Sequence, residues 1–490
     1  MEITKAGVIG AGTMGGALAL LLADNGVEVS VHDICESNLQ KTAAAAEAAG
    51  LSARINICKD YDSLCESLGT PKVFIFSLPN GRPGDSVVKT LEKYVTKGDI
   101  VIDASNENWK VTQARQQILS KYGVAYIGLG VSGGSYGARN GPSMMPGGEK
   151  WAVDMVLPML TRMAARDDHG RPCVANIGTG GSGHFVKMIH NGIEHGIMSA
   201  LCEAWEIMDQ TLGMDGEEIG AIFDSWNTKG GLKGNFLVEI SGSICRTKSS
   251  SGAGYMLHDI RDAVVQDAND SEGTGSWANV QSVESHVPAP SLTAAHYLRI
   301  ASSQVEQRLF INTSLDITPP KREKVTGAER SAVLQELADA VYGTTLLCFV
   351  QGLDVLERES MNQNWGIDIP RVLEIWRAGC IIKSDALLDM LHASYLESPQ
   401  TPLLCRPQIA QDVKRCQPAL KKIVLRSIES DARVPCLSGT LEYLKYIGGV
   451  DLPTSFTEAQ LDCFGAHGYD LKSEPVRHLL KGSYHHAWSG

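Results

Sequence analysis

Residues 5–25 read KAGVIGAGTMGGALALLLADN. An apolar run at 6–9 leads into Gly10, Gly12 and Gly15, and an alanine- and leucine-rich stretch follows. This is GxGxxG with a strand before it and a helix after it, the context that gives the pattern weight. Gly10 permits the tight turn, Gly12 lets a pyrophosphate approach the backbone, and Gly15 lets helix and strand pack closely. The N–H groups that open the helix then face the diphosphate. These features predict a Rossmann domain.

Working outward, a second strand over 27–32 ends in Asp33, where the ribose-binding acid of such a domain belongs. A carboxylate there accepts hydrogen bonds from the ribose 2′- and 3′-hydroxyls and repels a 2′-phosphate. Ile34 and Cys35 supply no cation to offset that repulsion. NAD is therefore expected over NADP, unless Asp33 merely caps the turn that follows it. Apolar runs at 73–78, 100–103 and 124–131 read as further buried parallel strands. The turns LPNG (78–81) and DASNEN (103–108) fall at strand C-terminal ends, where such sheets bind ligands. Residues 131–148 hold six glycines in VSGGSYGARNGPSMMPGG and are expected to form a binding loop rather than a regular element. Ser132 and the loop's N–H groups are available there to an anion.

The chemistry concentrates in GHFVKMIHNGIEHG, residues 183–196. At helical spacing Lys187, Asn191 and Glu194 share one face, projecting an amine, an amide and a carboxylate together. The alternative is an ordinary exposed Lys/Glu surface. From 183 to about 447 the pattern is helical, interrupted by a glycine-rich turn, EGTGSWA, at 272–278, and a polar tail follows.

With 490 residues the chain is expected to form more than one domain. We expect divisions at 1–182, 183–447 and 448–490: an α/β Rossmann domain plus a large all-α domain and a C-terminal tail. The net charge of −12 argues against nucleic acid as a partner. No apolar run reaches the ~18 residues of a bilayer span, so no membrane association is expected. Twelve cysteines without CxxC or other metal-ligand spacing suggest reduced thiols, no metal and a cytoplasmic location.

Taken in order, GAGTMGGALA, GVSGGSYGARNGPSMMPGG, GHFVKMIHNGIEHG, EGTGSW and FGAH (464–467) resemble the 6-phosphogluconate dehydrogenase family along the whole chain. The resemblance implies a homodimer whose C-terminal tails exchange between subunits. It implies Lys187 as general base and acid, Glu194 as the proton donor to an enediol, and Asn191 as a third catalytic group. The cofactor set is Gly10, Gly12, Thr13, Met14, Gly15, Asp33, Leu78 and Asn106. The substrate set is Ser132, Gly133, Gly134, His190, His195, Thr274, Arg299 and His467. The reaction implied is oxidation of a 3-hydroxy acid followed by decarboxylation.

Several positions depart from the family pattern. Asp33, Ile34 and Cys35 stand where NADP-dependent members carry Asn-Arg-Thr. His195 stands for a tyrosine, Glu272 and Ser276 for lysines, and Leu461 for an arginine. These changes remove cations from a phosphate pocket, so the leading expectation is a non-phosphorylated or otherwise altered sugar acid. Phosphogluconate itself is the alternative, with a cation such as Arg308 recruited. A non-catalytic nucleotide-binding protein is a third reading, opposed by the intact Lys187, Asn191 and Glu194.

Overall fold

Apolar residues, valine and isoleucine foremost, fill most of the short strands of the N-terminal half, and the inner strands are buried on both faces. The computed structural model describes residues 2–268, 273–475 and 480–488. Seven strands, β1 (Lys5–Ile9), β2 (Glu28–His32), β3 (Ile55–Ile57), β4 (Val73–Phe76), β5 (Ile100–Asp103), β6 (Ala125–Ser132) and β7 (Ser143–Gly147), form one sheet. Their order is β3-β2-β1-β4-β5-β6-β7. The first six are parallel, and β7 runs antiparallel to β6, pairing Gly128 with Gly147 and Ser132 with Ser143. Strand order reverses between β1 and β4, which opens a crevice beyond their C-terminal ends. Helices Thr13–Asp24 and Lys150–Met163 contribute to the core on one face; Val88, Leu91 and Leu119 fill the other.

The stretch 131–148 is more ordered than its composition suggests. Helix Gly134–Asn140 and strand β7 occupy most of it. Its glycines are spent on geometry rather than flexibility. Gly133 (φ 104°) and Gly134 (φ 61°) turn the chain from strand into helix, and Gly141 (φ 126°) turns it out again. Similarly, EGTGSWA is a helix start rather than an interrupting turn: helix Thr274–Glu284 begins inside it. Glu272 lies outside the described residues.

From Ser182 onward the structure is helical. The 25-residue helix Ser182–Glu206 packs on β6 and β7 and against helices Thr274–Glu284, Pro290–Ser303 and Gly327–Gln363. By length and composition alone, Gly327–Gln363 is long and apolar enough to cross a bilayer, with an 18-residue window of mean hydropathy 1.3. That window is 72% buried inside the protein, as befits a core helix. Leu346, Leu347, Cys348, Phe349 and Val350 are all inaccessible, and helices Ser182–Glu206 and Pro407–Glu429 pack along it.

The chain divides into two compact units, Met1–Thr440 and Leu441–Gly490. The sheet and the helix Ser182–Glu206 therefore belong to one unit. In the second, helix Thr454–Gly465 presents Asp462, whose buried carboxylate gathers the chain around it. It accepts hydrogen bonds from Gly468 N (3.0 Å), His485 Nδ1 (2.8 Å), His486 N (3.1 Å) and Trp488 Nε1 (2.7 Å).

Candidate active site

The crevice at the switch point fits a dinucleotide. Gly10 has φ 95°, and a side chain there would strike the Ser77 carbonyl; one on Gly15 would strike the Gly10 carbonyl. A Cβ on Gly12, by contrast, would meet nothing within 4 Å. That space lies beside the start of helix Thr13–Asp24, which includes Met14 in its first turn and has no side-chain cap. Asp33 accepts from Ala11 N at 2.6 Å, Cys35 N at 2.7 Å and Asn38 Nδ2 at 3.2 Å. It therefore caps its own turn, as the alternative reading of the sequence has it, and also ties the tip of β2 to the glycine loop.

The turns after β4 and β5 are fastened from beneath. Leu78 N donates to Ser105 Oγ (3.0 Å) and Gly81 N to Glu107 Oε2 (2.8 Å). Arg115, buried below them, donates to Asp85 (2.9 Å), Asp103 (3.1 Å), Tyr126 Oη (3.2 Å) and the Gly81 carbonyl (2.7 Å), and pairs with Glu107 (3.0 Å). Burial and the Asp103 charge hold the Tyr126 phenol well above its ordinary value, so it remains a donor to that carboxylate. Asn106, on the upper side of this knot, is exposed. Sequence reading found the turns but missed Arg115, an unremarkable basic residue in the helix Trp109–Ser120.

The helix Ser182–Glu206 meets the sheet through glycine. A side chain on Gly183 would strike the Gly128 and Met145 carbonyls, and one on Gly147 would strike Gly183 N. His184 locks the contact, with Nδ1 2.7 Å from Thr112 Oγ1 and Nε2 2.9 Å from the Asp103 carbonyl. One turn on, an alanine methyl at Gly130 would sit 2.6 Å from Lys187 Cβ. Lys187 is 7% exposed and Asn191 8%, while the Glu194 side chain is 20% exposed. This face is not the solvated Lys/Glu surface that the sequence left open.

Around that face some of the residues expected to meet the substrate, Ser132, His190 and Thr274, converge. Asn191 Nδ2 donates to Thr274 Oγ1 (2.8 Å). His190, fully buried, has Nδ1 3.0 Å from Asn191 Oδ1 and 3.7 Å from Glu194 Oε2, and Nε2 2.9 Å from Ser132 Oγ. Burial, reinforced by the Lys187 charge, pushes the imidazole well below its ordinary value. Ser132 Oγ accepts from Ile381 N (3.2 Å), and Gly133 lies against the Gly379 carbonyl, so the segment after helix Ile369–Ile375 braces this loop. Nothing lies within 4 Å of a Cβ placed on Gly134.

His195 stacks on His296 with ring centres 5.9 Å apart and planes 6° from parallel, and His296 Nε2 lies 3.0 Å from Ser276 Oγ. Arg299, one turn beyond His296, pairs with Asp267 at 3.0 Å, and Arg308 pairs with Asp262 at 2.8 Å. His467 belongs to the second unit, where it contacts Phe464. His296 and Cys380 were not singled out in the sequence. His296 could have been found three residues before Arg299 on one helix face; Cys380 carries no such signal.

Lys187, buried against Gly130 of β6, thus stands beside the C-terminal part of the sheet whose switch-point crevice fits a dinucleotide. The chain is a nicotinamide-dependent oxidoreductase. The profile of the NAD binding domain of 6-phosphogluconate dehydrogenase matches residues 5–178, and that of the 6-phosphogluconate dehydrogenase C-terminal domain matches 183–488. The chain belongs to the 6-phosphogluconate dehydrogenase family. It is 41% identical to the decarboxylating 6-phosphogluconate dehydrogenase of Emericella nidulans, over 97% of this chain and 99% of that one. It is 32% identical to decarboxylating 6-phosphogluconate dehydrogenase 2 of Arabidopsis thaliana, over 100% and 98%. Plasmodium falciparum 6-phosphogluconate dehydrogenase, solved with NADP+ and with 6-phosphogluconate, superposes with a TM-score of 0.89 at 30% identity, covering 99% of this chain and 100% of that one.

Proposed function

We propose that this chain oxidises 6-phosphogluconate at C3 and releases its carboxylate as CO2, yielding ribulose 5-phosphate, with NAD as the preferred cofactor. The observation that carries the reading is the buried face of Lys187, Asn191 and Glu194, set against β6 within a chain that parallels known decarboxylating relatives end to end. This places phosphogluconate ahead of the altered acid favoured from sequence.

Gly10, Gly12, Thr13, Met14, Gly15 and Asp33 would hold the dinucleotide, with Leu78 and Asn106 toward its nicotinamide. When bound, the nicotinamide accepts the hydride from C3. Lys187 takes the C3 hydroxyl proton as the hydride leaves. The 3-keto acid then loses CO2 because the ketone receives the electron pair, and protonated Lys187 stabilises the oxygen on which negative charge grows. Glu194 delivers a proton to C2, and Asn191 orients the hydroxyls between the two. Ser132, Gly133 and Gly134 receive the carboxylate end, while His190 and Thr274 line the interior. His195, Arg299 and the partner's His467 would receive the far end.

NAD preference rests on Asp33, whose carboxylate is pinned by Ala11 N and Cys35 N and cannot swing away from a 2′-phosphate. A homodimer with exchanged tails is supported by exposed Phe456, Phe464 and Leu480 in the second unit. Helix Val305–Leu315 adds to this, since it buries none of its residues and exposes Leu309, Phe310 and Leu315. Twelve unbridged cysteines support a cytoplasmic setting. A second reading, a weakly bound or absent phosphate, is favoured by one feature: Ser276, where the family resemblance leads one to expect a lysine, lies 3.0 Å from His296 Nε2, whose ring stacks on His195.

Nicotinamide reduction and CO2 release, measured with 6-phosphogluconate and with gluconate against NAD and NADP, test these readings. The proposal expects phosphogluconate and NAD to give the highest kcat/KM. Faster turnover of gluconate would favour the second reading. A Lys187→Met enzyme that turns over normally would remove the assigned base.

A further inference from the structure

Cys380 sits with its Sγ 3.1 Å from Nε2 of His190, the nitrogen that also faces Ser132 Oγ at 2.9 Å. The hydrogens around this imidazole can be assigned from their partners. Asn191 donates its amide nitrogen to Thr274, so its oxygen is the atom facing His190 Nδ1. An amide oxygen only accepts, so Nδ1 carries the hydrogen. The buried ring is neutral, as its lowered pKa requires, and Nε2 is a bare acceptor with one lone pair. Two donors compete for that lone pair. Ser132 Oγ already accepts from Ile381 N, which directs its own hydrogen to Nε2. Burial pushes the Cys380 thiol up to about 12, so it keeps its hydrogen across the working pH range.

A serine committed to His190 cannot donate to a substrate carboxylate. If it turned away alone, it would leave a fully buried imidazole nitrogen without a hydrogen bond, an unfavourable state. We propose that Cys380 is a positioning residue whose S–H takes the place of Ser132 on His190 Nε2, releasing the Ser132 hydroxyl to donate to the carboxylate of the bound acid. The exchange moves no proton between heavy atoms and breaks no covalent bond; it rotates two hydrogens about Cβ–Oγ and Cβ–Sγ. The inference rests on the proposed reading that Ser132 meets the substrate.

The test is steady-state kinetics of the full-length enzyme, with the acid varied at saturating NAD and NAD varied at saturating acid, and with 6-phosphogluconate and gluconate, which share the carboxylate end, both assayed. Cys380→Ala is expected to raise KM for the acid about tenfold, the scale of one unsatisfied buried polar group, and to leave cofactor KM unchanged. Cys380→Ser, which keeps a donor at the same place, is expected to recover most of the loss. In a Ser132→Ala background, adding Cys380→Ala is expected to have no further effect, because no hydroxyl remains to be released. An unchanged acid KM in Cys380→Ala, an equal rise in cofactor KM, or additivity with Ser132→Ala would each overturn the proposal. If Ser132→Ala itself leaves the acid KM unchanged, the substrate placement fails and the exchange fails with it. A normal Cys380→Ala beside an impaired Ser132→Ala defeats the exchange alone.

Discussion

Replacing Gly130 by alanine adds one methyl group at the point where β6 touches Lys187, the proposed base. That methyl would start 2.6 Å from Lys187 Cβ and 2.8 Å from the Gly183 carbonyl oxygen. Carbon atoms settle at about 3.5–4.0 Å, so one of the neighbours has to retreat by roughly 1 Å. The backbone at Gly183 cannot, because it is wedged against the Gly128 and Met145 carbonyls. The relief falls on Lys187, whose ammonium would be displaced from the C3 hydroxyl that the proposed mechanism sets against it. A misplacement of about 1 Å costs on the order of a hundredfold in rate, about 2.7 kcal/mol of activation free energy. Overpacking would also lower stability by about 1–3 kcal/mol. Initial rates at saturating cofactor and acid give kcat directly, and dinucleotide binding serves as the internal control, since Gly130 is remote from the β1 loop. Should a folded Gly130→Ala enzyme keep kcat within about threefold of the parent, the placement of Lys187 by backbone contact is refuted.

Three other perturbations have expected outcomes. Gly12→Ala places its methyl in open space at an ordinary φ of −62°, so thermal stability should hold or rise by about 0.4–1 kcal/mol while cofactor KM rises; fluorescence titration with NADH and a melting curve check the two halves. Asp33→Asn should narrow the NAD-over-NADP ratio of kcat/KM by about tenfold, because it removes a charge held close to the ribose; an unchanged ratio would assign the preference elsewhere. Burial raises the Glu203 carboxyl to about 7, against hydrogen bonds from Leu437 N, Ser199 Oγ and Cys436 N. Its folded value thus lies above the unfolded one of about 4.3, so its contribution to stability is complete below that pH and lost as pH climbs toward 7. Glu203→Gln should flatten the fall in melting temperature between pH 5 and pH 7 as an order-of-magnitude window; an unaltered slope would show that another group titrates there.

The Rossmann half was legible because each of its rules is local. Gly10, Gly12 and Gly15 act within a few residues of one another, and strand burial leaves continuous apolar runs. The Lys187 face was legible for the same reason, since helical periodicity projects residues 187, 191 and 194 together. What escaped depended on the chain returning from far away. Cys380 reaches His190 across 190 positions, and Arg115 acquires meaning only where two turns and three acids meet above and beside it. The glycines of 131–148 misled for a related reason. Composition records that side chains are missing there, whereas the cause lies in Gly183 and Gly379, the backbones that need the space.

That wedge of bare backbone has a mechanical consequence. The two family profiles meet between residues 178 and 183, yet the material on either side of that seam is bolted together where Gly128, Gly147 and Gly183 interlock and His184 bridges Thr112 to Asp103. The seam in ancestry is therefore not a joint in motion. A fragment cut there would bare a glycine trough on β6 and β7 and leave Lys187 without its anvil, so the proposed base and the nucleotide crevice belong to one compact unit. Any movement that admits the acid has to come from other elements than this pair.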